Sequence, residues 1–162
     1  MRRIALFCSF TLLLAACGGE PVDTAAHGAA CTGDGITASD AWMRSARAGQ
    51  PTSAAYLTLC NGGEADDRLI AARFEGAGAT ELHMTMMNDE NMASMSPTEG
   101  IALAAGASVA LEPGGAHIML IGLADAIEAG DAPTLTLEFE NAPPATIVFE
   151  VREEMSGEHG HH

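Results

Sequence analysis

The sequence predicts an all-β domain built as a two-sheet sandwich, and three observations carry that expectation. From Ile36 onward, short apolar stretches are separated by clusters of turn residues. In Thr134-Leu135-Thr136-Leu137-Glu138-Phe139-Glu140 the leucines and Phe139 fall on one side and the threonines and glutamates on the other, the period of a half-buried strand. No segment has the pattern of a convincing amphipathic helix, which favours sheet packed on sheet.

Taken in order, the chain opens with Met1-Arg2-Arg3 and an apolar run from Ile4 to Ala16, interrupted by Ser9 and Thr11. This reads as a signal peptide over residues 1–16, too short to span a bilayer. It ends in Leu14-Ala15-Ala16-Cys17, which resembles a bacterial lipobox and makes Cys17 a candidate for lipidation; the alternative is an export signal cut elsewhere, or an uncleaved anchor. Acyl chains on Cys17 would hold the protein on a bacterial membrane without a transmembrane helix, in the periplasm. Residues 17–34, rich in Gly, Ala and small polar residues and containing His27, read as a flexible tether.

The domain proper is expected over 35–154. Its candidate strands are Ile36 to Met43, Ala54 to Cys60, Arg68 to Phe74, Thr80 to Met86, Ser108 to Glu112, His117 to Gly122, Thr134 to Glu140 and Thr146 to Arg152, giving a sandwich of eight or nine strands. The breaks fall at Asn61-Gly62-Gly63, Gly76 to Gly78, Pro113-Gly114-Gly115 and Asn141-Ala142-Pro143-Pro144. Leu123 to Gly130 reads as a place for one short helical turn. Residues 155–162 form a tail with three histidines, His159, His161 and His162.

Charge and cysteine usage narrow the function classes. The chain carries a formal charge of −15, has no lysine, and becomes more acidic still when Arg2 and Arg3 leave with the signal. Such a chain does not bind nucleic acid or an anionic membrane by charge. Cys8 leaves with the signal and Cys17 is assigned to lipid, so Cys31 and Cys60 remain. In an oxidising compartment two such cysteines usually pair, closing a loop of about 30 residues with a contribution on the order of 3 kcal/mol. A thiolate metal site or a redox pair is the competing reading, against which stand the absence of a CxxC motif and of any histidine beside either cysteine.

The chemistry-bearing segment is His83 to Met95, where Met84, Met86, Met87, Met92 and Met95 place five thioethers within twelve residues. His117 and Met119 follow at i, i+2 on an expected strand, so both side chains project from one face. Thioether and imidazole together form a soft, largely uncharged ligand set that favours Cu(I) over Zn(II), Mg(II) or Ca(II). Methionines are more often packing than ligands. Here, however, Asn88-Asp89-Glu90-Asn91 gives the segment a loop-like, polar setting that does not bury five of them, and each internal histidine of the domain has a methionine within two residues. If the chain is extended at His83-Met84, the two point to opposite faces and only one is a direct ligand.

These residues carry a resemblance. Asp40-Ala41-Trp42, Ala55-Tyr56-Leu57, Asn61-Gly62-Gly63, Glu81-Leu82-His83 and Leu111-Glu112-Pro113-Gly114-Gly115-Ala116-His117-Ile118-Met119-Leu120 resemble the periplasmic copper chaperones called PCuAC, over about Gly35 to Arg152. The family pattern is a His or Met, ten residues, a Met, twenty-one residues, then His-x-Met. Met95, His117 and Met119 match its second half. In the first half, Met84 matches the count as written, whereas His83, favoured by the Glu81-Leu82-His83 match, leaves one extra residue; Met92 is a more distant rival.

The resemblance implies a cupredoxin-like Greek-key sandwich and a Cu(I) site of His83, Met95, His117 and Met119, with Met84 as alternative. It further implies delivery of copper to the dinuclear CuA centre in cytochrome c oxidase subunit II, or to another copper-handling protein. Thioethers suit an oxidising compartment, because they need no deprotonation and cannot be lost to disulfides. Enzyme readings find no support: there is no GxSxG elbow or HExxH helix, and a blue-copper site needs a cysteine thiolate grouped with histidines. The other readings are a copper-sequestering or resistance protein, and a lipid-anchored adhesion or assembly sandwich whose methionines merely pack. His159, His161 and His162 form a possible second site for Cu(II), or for Zn(II) or Ni(II).

Overall fold

The structure is a computed structural model that describes Cys31 and residues 33–47, 50–87 and 92–153. The signal segment, Cys17, the tether through residue 30 with His27, the Asn88–Asn91 stretch, and the tail with His159, His161 and His162 lie outside the described residues. The described chain forms eleven strands: β1 Ile36–Arg44, β2 Thr52–Asn61, β3 Asp67–Arg73, β4 Ala77–Met87, β5 Ala93–Pro97, β6 Ile101–Leu103, β7 Ser108–Leu111, β8 Ala116–Leu123, β9 Thr134–Phe139, β10 Ala145–Val148 and β11 Glu150–Arg152.

They make two sheets. The larger runs β11-β1-β2-β8-β4-β5, with β7 also paired to β2, and the smaller runs β10-β9-β3-β6. The last strand returns to lie parallel to the first, Val151 opposite Met43, while β1 and β2 pair antiparallel. Between the sheets lies one core of alternate strand residues, including Met43, Leu57, Leu59, Leu69, Leu103, Ile118, Leu120, Leu135 and Leu137, all essentially fully buried. Each such side chain contributes roughly 1.5–3 kcal/mol by leaving water.

Four features differ from the expectation. Two strands are additional, and neither has a readable pattern: β5 is exposed on both faces, so nothing forces its residues to alternate, and β6 is only three residues long. The expected strand Thr146 to Arg152 is two strands in different sheets. At the crossing Phe149 is fully buried and its N–H bonds to Pro133 O at 2.8 Å, so the chain passes from one sheet to the other through the core. Leu123 to Gly130 holds no helical turn; Ile127 instead bridges Ala46, with paired N–H···O bonds of 2.8 Å each way. The segment from Met87 to Met95, read as a loop, instead supplies the end of β4 and the start of β5, with Met87 opposite Ala93 and Met95 opposite Thr85.

Cys31 and Cys60 form a disulfide, with Cα atoms 5.6 Å apart. It ties the entry of the domain to β2, the long central strand on which β1, β7 and β8 are all registered. Asn61, buried at the end of β2, holds the adjoining turns by donating to Ala65 O and Leu103 O, both at 2.9 Å. Asp67 does the same for the β9–β10 turn, accepting from the N–H groups of Asn141 at 3.0 Å and Ala142 at 2.8 Å.

Candidate metal site on the outer face of the larger sheet

The geometry of the site begins with a turn. β7 and β8 run along the same flank of β2, Leu111 opposite Leu57 and Ile118 opposite Ala55, with the intervening residues looped out. Gly115 N–H bonds to Glu112 O at 3.0 Å, and Gly114 between them has φ 86°. Pro113 and Gly114 thus occupy the two central positions of a turn whose second residue needs a left-handed backbone, which glycine alone adopts without strain. The chain re-enters the sheet at Ala116 and His117, and both then pair with β4.

Register decides which side chains meet. In an antiparallel ladder, directly opposed residues share a face, and His83 lies opposite His117. Glu81 lies opposite Met119, and Thr85 opposite Met95. All of these alternate with Leu82, Ile118 and Leu120, which face the core, so they stand on the outer face of the larger sheet. His83 is the hub: directly across from His117, and diagonal to both Met119 and Met95, a separation that long side chains span.

Met84 is opposite Ala116 and Ser96 and so belongs to the other face. The structure therefore brings together His83, His117 and Met119, sets Met95 one strand further out on the same face, and leaves Met84 apart from them. Met95 is 60% exposed on the edge strand, and Met92, also exposed, precedes it. Met119 is half-buried.

Both imidazoles are buried and each is held by one nitrogen. His83 Nε2 bonds to Glu81 Oε2 at 2.8 Å, and His117 Nδ1 bonds to the carbonyl oxygen of Gly115 at 3.1 Å. With a proton donated to each of those oxygens, His83 Nδ1 and His117 Nε2 keep their lone pairs, the arrangement that prepares imidazole for a metal. The ring centroids are 5.8 Å apart. Among the described residues, the buried side-chain polar atoms without a partner are His83 Nδ1 and Thr85 Oγ1, neighbours on this same face of β4. Unpartnered buried groups are rare and call for a ligand or a water.

The donor set suits a soft ion. Among the described residues no three His, Cys, Asp or Glu side chains converge, so a site here depends on thioethers to complete its coordination. Both described cysteines are joined in the disulfide, and neither offers a thiolate. The floor continues as a row of rings: Tyr56 lies 6.3 Å from His117 and Trp42 lies 4.5 Å from Tyr56. Arg44 and Arg152 stack over Tyr56 and Trp42. Glu81, Tyr56 and Trp42 belong to the sequence segments that carry the family resemblance, but neither their place at the site nor that of Thr85 is assigned by it. Glu81 and Thr85 were signalled by their i±2 spacing from His83 on an extended strand, whereas the aromatic row depends on strand order that no local pattern carries.

The β-sandwich is the fold of solved PCuAC domains. The fold matches the copper-bound PCuAC domain from PmoF2 with a TM-score of 0.62 at 24% identity, covering 78% of this chain and 97% of that one. It also matches apo-DR1885 from Deinococcus radiodurans, with a TM-score of 0.58 at 22% identity over 92% and 99% of the two chains. The Cu(I) form of DR1885 matches with a TM-score of 0.55 at 23% identity, over 78% of this chain and 82% of that one. The family model "Putative lipoprotein LpqE-like" matches residues 36–151, and the chain belongs to that family. Its relative "Putative lipoprotein Lxx21020" of Leifsonia xyli subsp. xyli (strain CTCB07) is 30% identical over 120 residues, 74% of this chain and 71% of the relative.

Proposed function

We propose that this protein is a periplasmic Cu(I)-binding metallochaperone held by lipid on Cys17 at a bacterial membrane. Copper is its cargo, bound by His83, His117 and Met119, with Met95 closing over the ion from the edge strand. The observation that carries this reading is the pair of buried imidazoles opposed across β4 and β8, each anchored through one nitrogen, with His83 Nδ1 left without a partner. Thioethers add soft, neutral donors that hold Cu(I) without a proton to displace. The copper-bound and Cu(I) structures among the fold relatives support the same chemistry.

Delivery to the CuA centre of cytochrome c oxidase subunit II is the role that fits best. An exposed methionine on an edge hairpin can be exchanged for a partner's ligand without opening the core, so the cargo is reachable while the imidazoles stay fixed. The test is anaerobic mixing of the Cu(I)-loaded chain with an apo CuA domain, followed by copper analysis of the separated proteins. Transfer of most of the metal is expected. Tight binding with no transfer would replace delivery by sequestration.

A further inference from the structure

Among the described residues, the exposed thioethers are not scattered. Among the described residues the exposed large hydrophobic side chains are Ile70, Val148, Met84, Met86, Met92 and Met95; the first two lie on the smaller sheet and the rest on or beside the β4–β5 hairpin. Along the inner face of β4 burial falls steadily, from Leu82 at 4% exposed to Met84 at 37% and Met86 at 59%. The row that begins inside the sandwich therefore emerges from it, and the two residues that emerge are both methionines.

We infer that Met84 and Met86 form a second, weaker Cu(I) site on the face of the hairpin opposite His83 and His117. The two residues are i, i+2 on one strand, so their side chains leave the same face about 7 Å apart at the backbone. Two unbranched chains with three rotatable bonds each close that gap around one ion. The residues opposite them on β5 are Ser96 and Ser94, small side chains that leave the thioethers uncovered. Thioether-only coordination selects Cu(I) and excludes Zn(II), Ca(II) and Mg(II). An apolar docking row would be equally served by leucine, whereas a metal site needs the sulfur.

This site adds to the proposed function and does not depend on His83 or His117. It gives copper a shallow landing place on the hairpin that also carries Met95, so an ion can be received or offered at the edge before or after it occupies the imidazole pair.

The experiment is an anaerobic Cu(I) titration of the full chain carrying 13C-methyl methionine, read by NMR, alongside Met84→Leu/Met86→Leu and His117→Ala. In the parent, the Met119 methyl shifts with the first equivalent and the Met84 and Met86 methyls shift with the next. The double leucine variant binds one copper fewer and holds the first with affinity within about threefold of the parent; the His117→Ala variant keeps the shifts of Met84 and Met86. Methyls of Met84 and Met86 unmoved through two equivalents would overturn the second site and leave the row as a docking surface. Shifts of both in step with Met119, together with loss of the first equivalent in the double variant, would overturn it by assigning Met84 to the primary site.

Discussion

At the scale of single residues, the site depends on which nitrogen of each ring is free. Gly115 O, fixed by the Pro113–Gly114 turn, holds His117, and the Glu81 carboxylate holds His83. Removing such an outer partner of a metal ligand costs about 10–100-fold in affinity. Glu81→Leu is therefore expected to weaken Cu(I) binding by about tenfold or more, with Glu81→Gln nearer the parent because its amide oxygen still accepts. Chelator competition measures the loss, and 15N spectra of the apo protein report whether His83 keeps its tautomer. The two registers left open by the spacing before Met95 separate in the same assay: His83→Leu is expected to abolish the tight site, and Met84→Leu to leave it. The outer-face position of His83 follows from the ladder with β8, which strand spacing alone does not reveal.

At the scale of elements, what was legible in the sequence was whatever a buried face imposes. The strand Thr134–Phe139 alternates visibly because Leu135, Leu137 and Phe139 are driven into the core, and the Pro113-Gly114-Gly115 break marks a real left-handed turn. β5 was illegible because it buries nothing, and the division of 146–152 was hidden because Phe149 is as apolar as a strand residue while serving as a crossing point. The same physics sets the expected costs. Phe149→Ala empties a fully buried position and is expected to destabilise by about 3–5 kcal/mol in denaturant unfolding. Asp67 is the polar counterpart: burial pushes its carboxyl upward as the largest single influence, but the N–H groups of Arg68, Asn141 and Ala142, with the Asn141 side chain, together hold it below its ordinary 3.8. A carboxylate lowered on folding stabilises fully above its unfolded pKa, and the contribution disappears as pH falls through the folded one. Asp67→Ala is thus expected to cost about 1 kcal/mol near neutrality, a small value because the group is half-buried, and the difference from the parent to narrow as pH falls below 3.8.

At the scale of the whole molecule, an acidic sandwich is stapled by one disulfide at the entry to its central strand and carries its candidate donors on the far part of the larger sheet. Cys31→Ser/Cys60→Ser is expected to lower unfolding stability by about 3 kcal/mol, since the bridge closes a loop spanning 29 positions. Because the bridge is remote in sequence from the imidazoles, the folded variant is expected to retain Cu(I) affinity. Copper held on the outer sheet face, by imidazole and thioether together, is the proposition from which chaperone function follows. X-ray absorption of the full chain loaded with less than one equivalent of Cu(I) examines it most directly, with His83→Leu/His117→Ala as the companion sample. Two imidazole nitrogens with one or two sulfurs are expected in the parent, and loss of the nitrogen scattering in the variant. Sulfur-only coordination in the parent, or nitrogen scattering that persists unchanged without His83 and His117, would contradict it.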